Sequence, residues 1–79
     1  PVLYPNPGQG YITIDQMEGA DSRPVRYRIY NSVGSLVKEE VSEGGSEIKL
    51  DISDYPAGLY LIVMHSHNGI RTMKYILTR

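Results

Sequence analysis

His65 and His67, one residue apart, are the side chains whose type and spacing come nearest to a chemical site. Residues i and i+2 of a strand share a face, so two imidazoles in this relation could reach one metal ion. A working site needs at least one more ligand, and the neighbouring sequence supplies no convincing donor. The pair also flanks Asn68-Gly69, a turn signal beside which solvated polar residues are ordinary. Serines, histidines and aspartates occur, but none falls in a nucleophile motif. A chain of 79 residues also has little room for a water-excluding cleft. No catalytic residue, metal ligand or cofactor is expected, and the chain is not expected to be an enzyme.

The bulk properties narrow the field further. Residues 1–79 make a single domain. A domain this small buries only ~60% of the surface its unfolded chain exposes, which leaves a margin of roughly 4–12 kcal/mol. The absence of cysteine excludes disulfide stapling and thiolate chemistry. A formal charge of −1 is too near neutral for a general nucleic-acid binder. The charge is unevenly spread: Glu39 to Asp54 holds six acids and one base, Lys49, whereas Tyr55 onward holds Arg71, Lys74 and Arg79 and no acid. Seven tyrosines and no phenylalanine or tryptophan suit a small interior whose aromatic rings keep one polar end. The longest apolar run, Leu59 to Met64, is six residues, far short of a membrane-spanning helix. The chain opens on Pro1-Val2-Leu3 without methionine or signal peptide, so it is expected to be a fragment of a longer protein whose export signal lies upstream.

The elements that must position these residues are strands, because the apolar pattern has period two almost throughout. Tyr11 to Ile14 is one, ending at Asp15. Val25, Tyr27 and Ile29 alternate with Arg26, Arg28 and Tyr30 in a half-buried strand with a charged outer face. Asn31-Ser32-Val33-Gly34 reads as a turn. Leu36 to Val41, with Lys38, Glu39 and Glu40, reads as an exposed edge strand. Gly44-Gly45 signals a hairpin into a strand bearing Ile48, Leu50 and Ile52. Leu59 to Met64 is continuously apolar, so both faces are expected to be covered and the strand central. Asn68-Gly69 is the strongest hairpin signal, and Ile70 to Thr78 returns as the last strand. Val2-Leu3-Tyr4 adds a seventh strand, confined to an edge by Pro5 and Pro7. Asp15 to Pro24 is a long polar loop. The pattern predicts an all-β, immunoglobulin-like β-sandwich of six to seven mostly antiparallel strands, with a small barrel as the alternative.

Proline and glycine punctuate this pattern in two places. In Tyr4-Pro5-Asn6-Pro7 the prolines fix φ and extend the residues before them. Asn6 can hold the bend through backbone hydrogen bonds, and Gly8 and Gly10 permit positive φ at the entry to the next strand. In Pro56-Ala57-Gly58-Leu59-Tyr60, Pro56 ends the preceding segment and Gly58 supplies a backbone state that other residues resist. Tyr60 then needs a hydroxyl partner, and a backbone group a few residues upstream would make a tyrosine corner.

In their joint order these features resemble the type A C-terminal sorting domain of cargo proteins exported by the type IX secretion system of Bacteroidetes-type bacteria. The resemblance spans nearly all of the chain. It covers Pro5, Asn6, Pro7 and Gly10 before the apolar pair Ile12 and Ile14, and Ile29-Tyr30-Asn31 with Gly34 before Leu36 and Val37. It continues through Pro56, Gly58 and Tyr60 ahead of Leu61-Ile62-Val63, and through Lys74, Ile76 and Arg79 at the end. Tyr75 departs from it, being bulkier than the small or β-branched residue expected there.

The resemblance implies that these residues serve recognition. The domain would cross the periplasm and outer membrane with its cargo and engage outer-membrane components of the type IX machinery. A sortase-like peptidase would usually remove it at a site upstream, leaving cargo at the cell surface or secreted. No nucleic-acid partner and no transmembrane segment are expected, and the domain should be a monomer or weak dimer. The alternative is an immunoglobulin- or fibronectin-like adhesion or spacer module with no sorting role. A metal-dependent enzyme rests on the two histidines alone.

Overall fold

Alternation along each strand becomes inside and outside in the structure. The computed structural model describes residues 2–15, 23–42, 47–67 and 69–78. Its strands are β1 (Val2–Tyr4), β2 (Tyr11–Asp15), β3 (Val25–Tyr30), β4 (Leu36–Ser42), β5 (Glu47–Asp51), β6 (Gly58–Ser66) and β7 (Gly69–Leu77). They form a three-stranded sheet, β1-β2-β5, and a four-stranded sheet, β4-β3-β6-β7. All strand pairs within the sheets are antiparallel. The strands thus divide into the expected sandwich and do not close into a barrel. The fourth strand lies beside the third, as C′ does in variable-type immunoglobulin sheets, whereas in the constant type it joins the other sheet.

The core draws on both sheets. Ile12 and Ile14 of β2 and Ile48 and Leu50 of β5 meet Val25, Tyr27 and Ile29 of β3, Tyr60, Ile62 and Met64 of β6, and Tyr75 and Leu77 of β7. Ile52 is also buried, just past the end of β5. β1 and β4 are sheet edges, as their prolines and charges led us to expect. On β4, Glu39 accepts a 2.6 Å hydrogen bond from Arg28 Nε, which holds its carboxyl below the ordinary range.

Several sequence expectations need correction. β6 is central, lying between β3 and β7, but its pattern alternates. Tyr60, Ile62 and Met64 are buried, Leu61 and Val63 are half-buried, and Leu59 is exposed, so only one face of the apolar run is covered. The Gly44-Gly45 signal does not mark a hairpin, because β4 and β5 belong to different sheets; the glycines themselves lie outside the described residues. The polar loop joins β2 to β3 across the sheets, and residues 16–22 of it lie outside the described residues as well. The β6–β7 hairpin is as expected, with Ser66 opposite Gly69, although Asn68 is not among the described residues.

Tyr27 is almost fully buried, and among the described residues its hydroxyl finds no hydrogen-bond partner. Burial pushes its pKa from 10.0 up to about 12. Below the unfolded value both states keep the proton, so the folded state loses nothing. As pH rises from 10.0 towards about 12 the unfolded chain ionises first and stability falls, by up to about 3 kcal/mol. Tyr27→Phe should equal or exceed the parent at neutral pH, since it removes an unmatched polar group, and should flatten this alkaline loss. Urea midpoints across that pH range check both outcomes. Ile62→Ala at a fully buried site should cost about 2–5 kcal/mol, whereas Val33→Ala in an exposed turn should stay within about 0.5 kcal/mol.

Candidate functional site

Strand register gathers the sequence motifs at one end of the sandwich. Tyr11 pairs with Asp51, Tyr30 with Leu36 and Leu61, and Gly58 with Leu77. The connections at this pole are therefore 5–10, 31–35 and 52–57, together with the end of β7. Pro5, Asn6, Pro7, Gly10, Gly34 and Pro56 belong to them, and Gly58 opens β6 beside them. The paired strand ends Asp15 and Glu47, Val25 and Ser42, and Ser66 and Gly69 lie at the opposite pole.

β7 is an edge strand, and the proline segment covers the end of it. Pro5 and Pro7 have no N–H to offer, so the segment pairs through what lies between and after them. The Asn6 side-chain amide carries one donor group and one acceptor, as a peptide unit does. Its Nδ2 donates to Lys74 O at 2.8 Å, and its Oδ1 accepts from Ile76 N at 3.1 Å. Gly8 continues the pairing: its N–H donates to Ile76 O at 3.0 Å and its carbonyl accepts from Thr78 N at 2.7 Å. This is a parallel bridge between Gly8 and Leu77. Both Tyr4–Pro5 and Asn6–Pro7 are cis.

Tyr75 lies beneath this clasp. It is fully buried, and its hydroxyl accepts a 2.8 Å hydrogen bond from Gly10 N. Gly10 has φ +104° and also accepts from Ile52 N at 2.8 Å. A Cβ on Gly10 would stand 2.5 Å from Ser53 Cα, against backbone that cannot swing aside. Gly8 does not take a positive φ, contrary to the sequence reading. Its need is space, since a Cβ there would meet Tyr75 Oη at 2.5 Å and Pro5 O at 2.8 Å. Tyr75 is therefore the central residue of the pole that sequence reasoning missed. Its signal was the ring itself: a tyrosine at a core-facing position needs a partner for its hydroxyl.

The remaining connections complete the pole. Tyr60 Oη donates to Pro56 O at 2.6 Å, the expected tyrosine corner. Tyr55 Oη donates to Val37 O at 3.0 Å. In the 31–35 turn, Asn31 Oδ1 accepts from Val33 N at 3.1 Å and Ser35 N at 2.9 Å, and Gly34 has φ +88°. Asp51 accepts from both Ser53 N and Ser53 Oγ, which holds its carboxyl below the ordinary range. A cleft of about 400 Å³ lies between the 31–33 turn and the Tyr55–Tyr60 corner.

Lys74 and Ile76 join the clasp through their backbones while both residues stay exposed. Arg79 lies outside the described residues. β6 ends at Ser66, so His65 is on the strand and His67 is in the turn beyond it. Among the described residues no three His, Cys, Asp or Glu side chains cluster to hold a metal.

The model of the secretion system C-terminal sorting domain matches residues 2–78. The chain belongs to that family. The sorting domain is a signal for type IX secretion, and its family is not one of enzymes. Its role implies contact with the secretion machinery and export across the outer membrane, to the cell surface or beyond. No curated protein matches its sequence. Among the described residues no helix is long and apolar enough to cross a membrane.

Asn6→Ala in the sorting domain should cost about 1–2 kcal/mol by unmaking two hydrogen bonds. Amide exchange should localise the effect: Ile76 loses protection, while Ile62 exchanges as in the parent. Gly10→Ala, which also meets the Ser53 backbone, should cost more than Asn6→Ala in the same urea titration.

Proposed function

We propose that the type IX machinery reads this sorting domain at the clasped pole. The supporting observation is convergence: Asn6 and Ile76, 70 positions apart, are hydrogen-bonded to each other, and the other motif connections surround them. On this reading Pro5, Asn6, Pro7 and Gly10 set the shape, while Lys74, Ile76 and Arg79 present side chains to outer-membrane components of the translocon. Gly34, Pro56, Gly58 and Tyr60 hold the neighbouring turns in place. The domain passes through the periplasm with its cargo, and a sortase-like peptidase usually removes it at a site upstream of the proline segment. No cofactor takes part. The type A assignment and a monomeric or weakly dimeric state belong to the same reading.

A fusion tests it. Residues 1–79 are placed behind a reporter that carries a periplasmic export signal, in a type IX-secreting bacterium. Lys74→Glu leaves the backbone hydrogen bonds of the clasp in place. It should block surface delivery while melting stays cooperative. Removing Thr78 and Arg79 should block delivery too, at a cost of about 1–2 kcal/mol from the lost Thr78–Gly8 bonds. Tyr60→Ala is a poor probe, because losing a core ring costs about 3–5 kcal/mol and unfolding alone would stop export. Unchanged delivery of both Lys74→Glu and the truncated chain refutes recognition at this pole.

A further inference from the structure

The two broad faces of the sandwich are opposite in charge, and each carries apolar surface beside its charges. On the four-stranded sheet, Leu59, Leu61 and Val63 of β6 face away from the core, where an antiparallel sheet ordinarily turns polar residues to water. Arg26 and Arg28 of β3 and Lys74 of β7 share this face, because register sets Arg26 beside His65, Arg28 beside Val63 and Lys74 beside Leu61. The acid in these rows is Glu39, already bonded to Arg28. The three-stranded sheet shows the reverse. Tyr11, Thr13 and Asp15 of β2 and Glu47, Lys49 and Asp51 of β5 alternate with buried isoleucines and leucine. Tyr4 joins them, since it stands opposite Thr13. Tyr11 is 65% exposed and Tyr4 44%. Asp15 and Glu47 are directly opposite each other, a like-charged pair that a cation laid over it would relieve.

The patches run in the same order on both faces. Towards the clasped pole lie Tyr11 on one face and Leu59 and Leu61 on the other. Towards the far pole lie Asp15 and Glu47 on one and Arg26 on the other. The order across the strands agrees as well. β5 flanks β4, where Lys38 Nζ donates to Asp51 O at 2.9 Å, and the segment leaving β1 flanks β7 through the clasp. A copy displaced along the sheet normal without turning therefore sets its tyrosines over the apolar side of the next copy's four-stranded sheet. The same displacement brings its Glu47 over the side that carries Arg26. Two like faces laid together would instead set cation on cation or acid on acid.

We infer that these two faces bind each other, so that a second copy of this chain docks head to tail on the first. The contact is heterologous. Each pair keeps one face of either kind open, and without a closing rotation the contact repeats as an open stack with its clasped poles along one side. A weak dimer is its first step. The smaller sheet limits the area: strands of five residues and three strands side by side cover roughly 17 by 14 Å, well under the ~800 Å² per partner of a stable complex. The association is therefore weak, and added salt loosens it because charge guides it. It depends on no step of export and stands apart from the sorting role.

Amide chemical shifts of the 79-residue chain, followed by NMR from about 50 μM to about 1 mM, test this without any variant. They should move together at Thr13 and Lys49 on one face and at Arg28 and Val63 on the other, and the movement should shrink in about 0.5 M salt. Two paired variants then separate the faces. Arg26→Ser with Leu61→Thr spoils the cationic face, and Tyr11→Thr with Glu47→Ser spoils the acidic one. All four side chains lie outside the core, so melting should stay cooperative. Each variant alone should associate at least about tenfold more weakly than the parent. In sedimentation equilibrium the parent should fit open-ended growth, whereas an equal mixture of the two variants should stop at a one-to-one complex. Four results overturn the inference: shifts that do not depend on concentration, shifts on one face alone, either variant associating as the parent does, or a mixture that behaves as each variant does by itself.

Discussion

A single buried hydroxyl organises the motif end of this molecule. Tyr75 projects from β7 into the core, where an unpartnered hydroxyl would cost about 1–3 kcal/mol. The N–H of Gly10 meets it at 2.8 Å, and that contact draws the chain entering β2 against the last strand of the other sheet. Gly8 and Gly10 must then be glycine for different reasons, one for room beside the ring and the other for its left-handed backbone and its closeness to Ser53. Above them Asn6 and Gly8 take up the outward-facing backbone groups of Lys74 and Ile76 on β7 and of Thr78 just beyond it. An edge strand that would otherwise invite pairing is thus shielded at its end by the proline segment of the same domain.

Much of the fold was legible because burial in a thin sandwich follows the pleat. Val25, Tyr27 and Ile29 were assigned inward from alternation alone, and they are buried. Leu36 to Val41 was placed at an edge from its charges, and it is there. What failed needed information beyond the local chain. Gly44-Gly45 has hairpin chemistry, but turn residues do not say which sheet the next strand joins. The run from Leu59 to Met64 has core composition, but composition does not say whether its second face is met by this chain or by something else.

The candidate site was legible as residues and illegible as a place. Pro5, Asn6, Pro7, Gly10, Pro56, Gly58 and Tyr60 were each singled out by what proline, glycine or tyrosine does locally. The Tyr60 hydroxyl bond to Pro56 was foreseeable because its partner is four residues away. The bonds from Asn6 to Lys74 and Ile76 were not, since spacings of 68 and 70 residues leave no periodic trace. Tyr75 was read as a departure from the family pattern because bulk is visible in a sequence and a distant N–H is not. The family match over residues 2–78 gives the chain its role as a sorting domain, and the geometry indicates where that role is best sought.

The contact between Gly8 and Leu77 also has a consequence in time. Within the domain the proline segment is made before β7, yet it cannot find its seat until that strand is there. A domain that lacks β7 keeps most of its core residues but offers Asn6 and Gly8 no backbone to pair with. Joining of the two ends of the domain is written into the tertiary structure, and a receptor that grips this pole would pass over copies in which β7 is not in place.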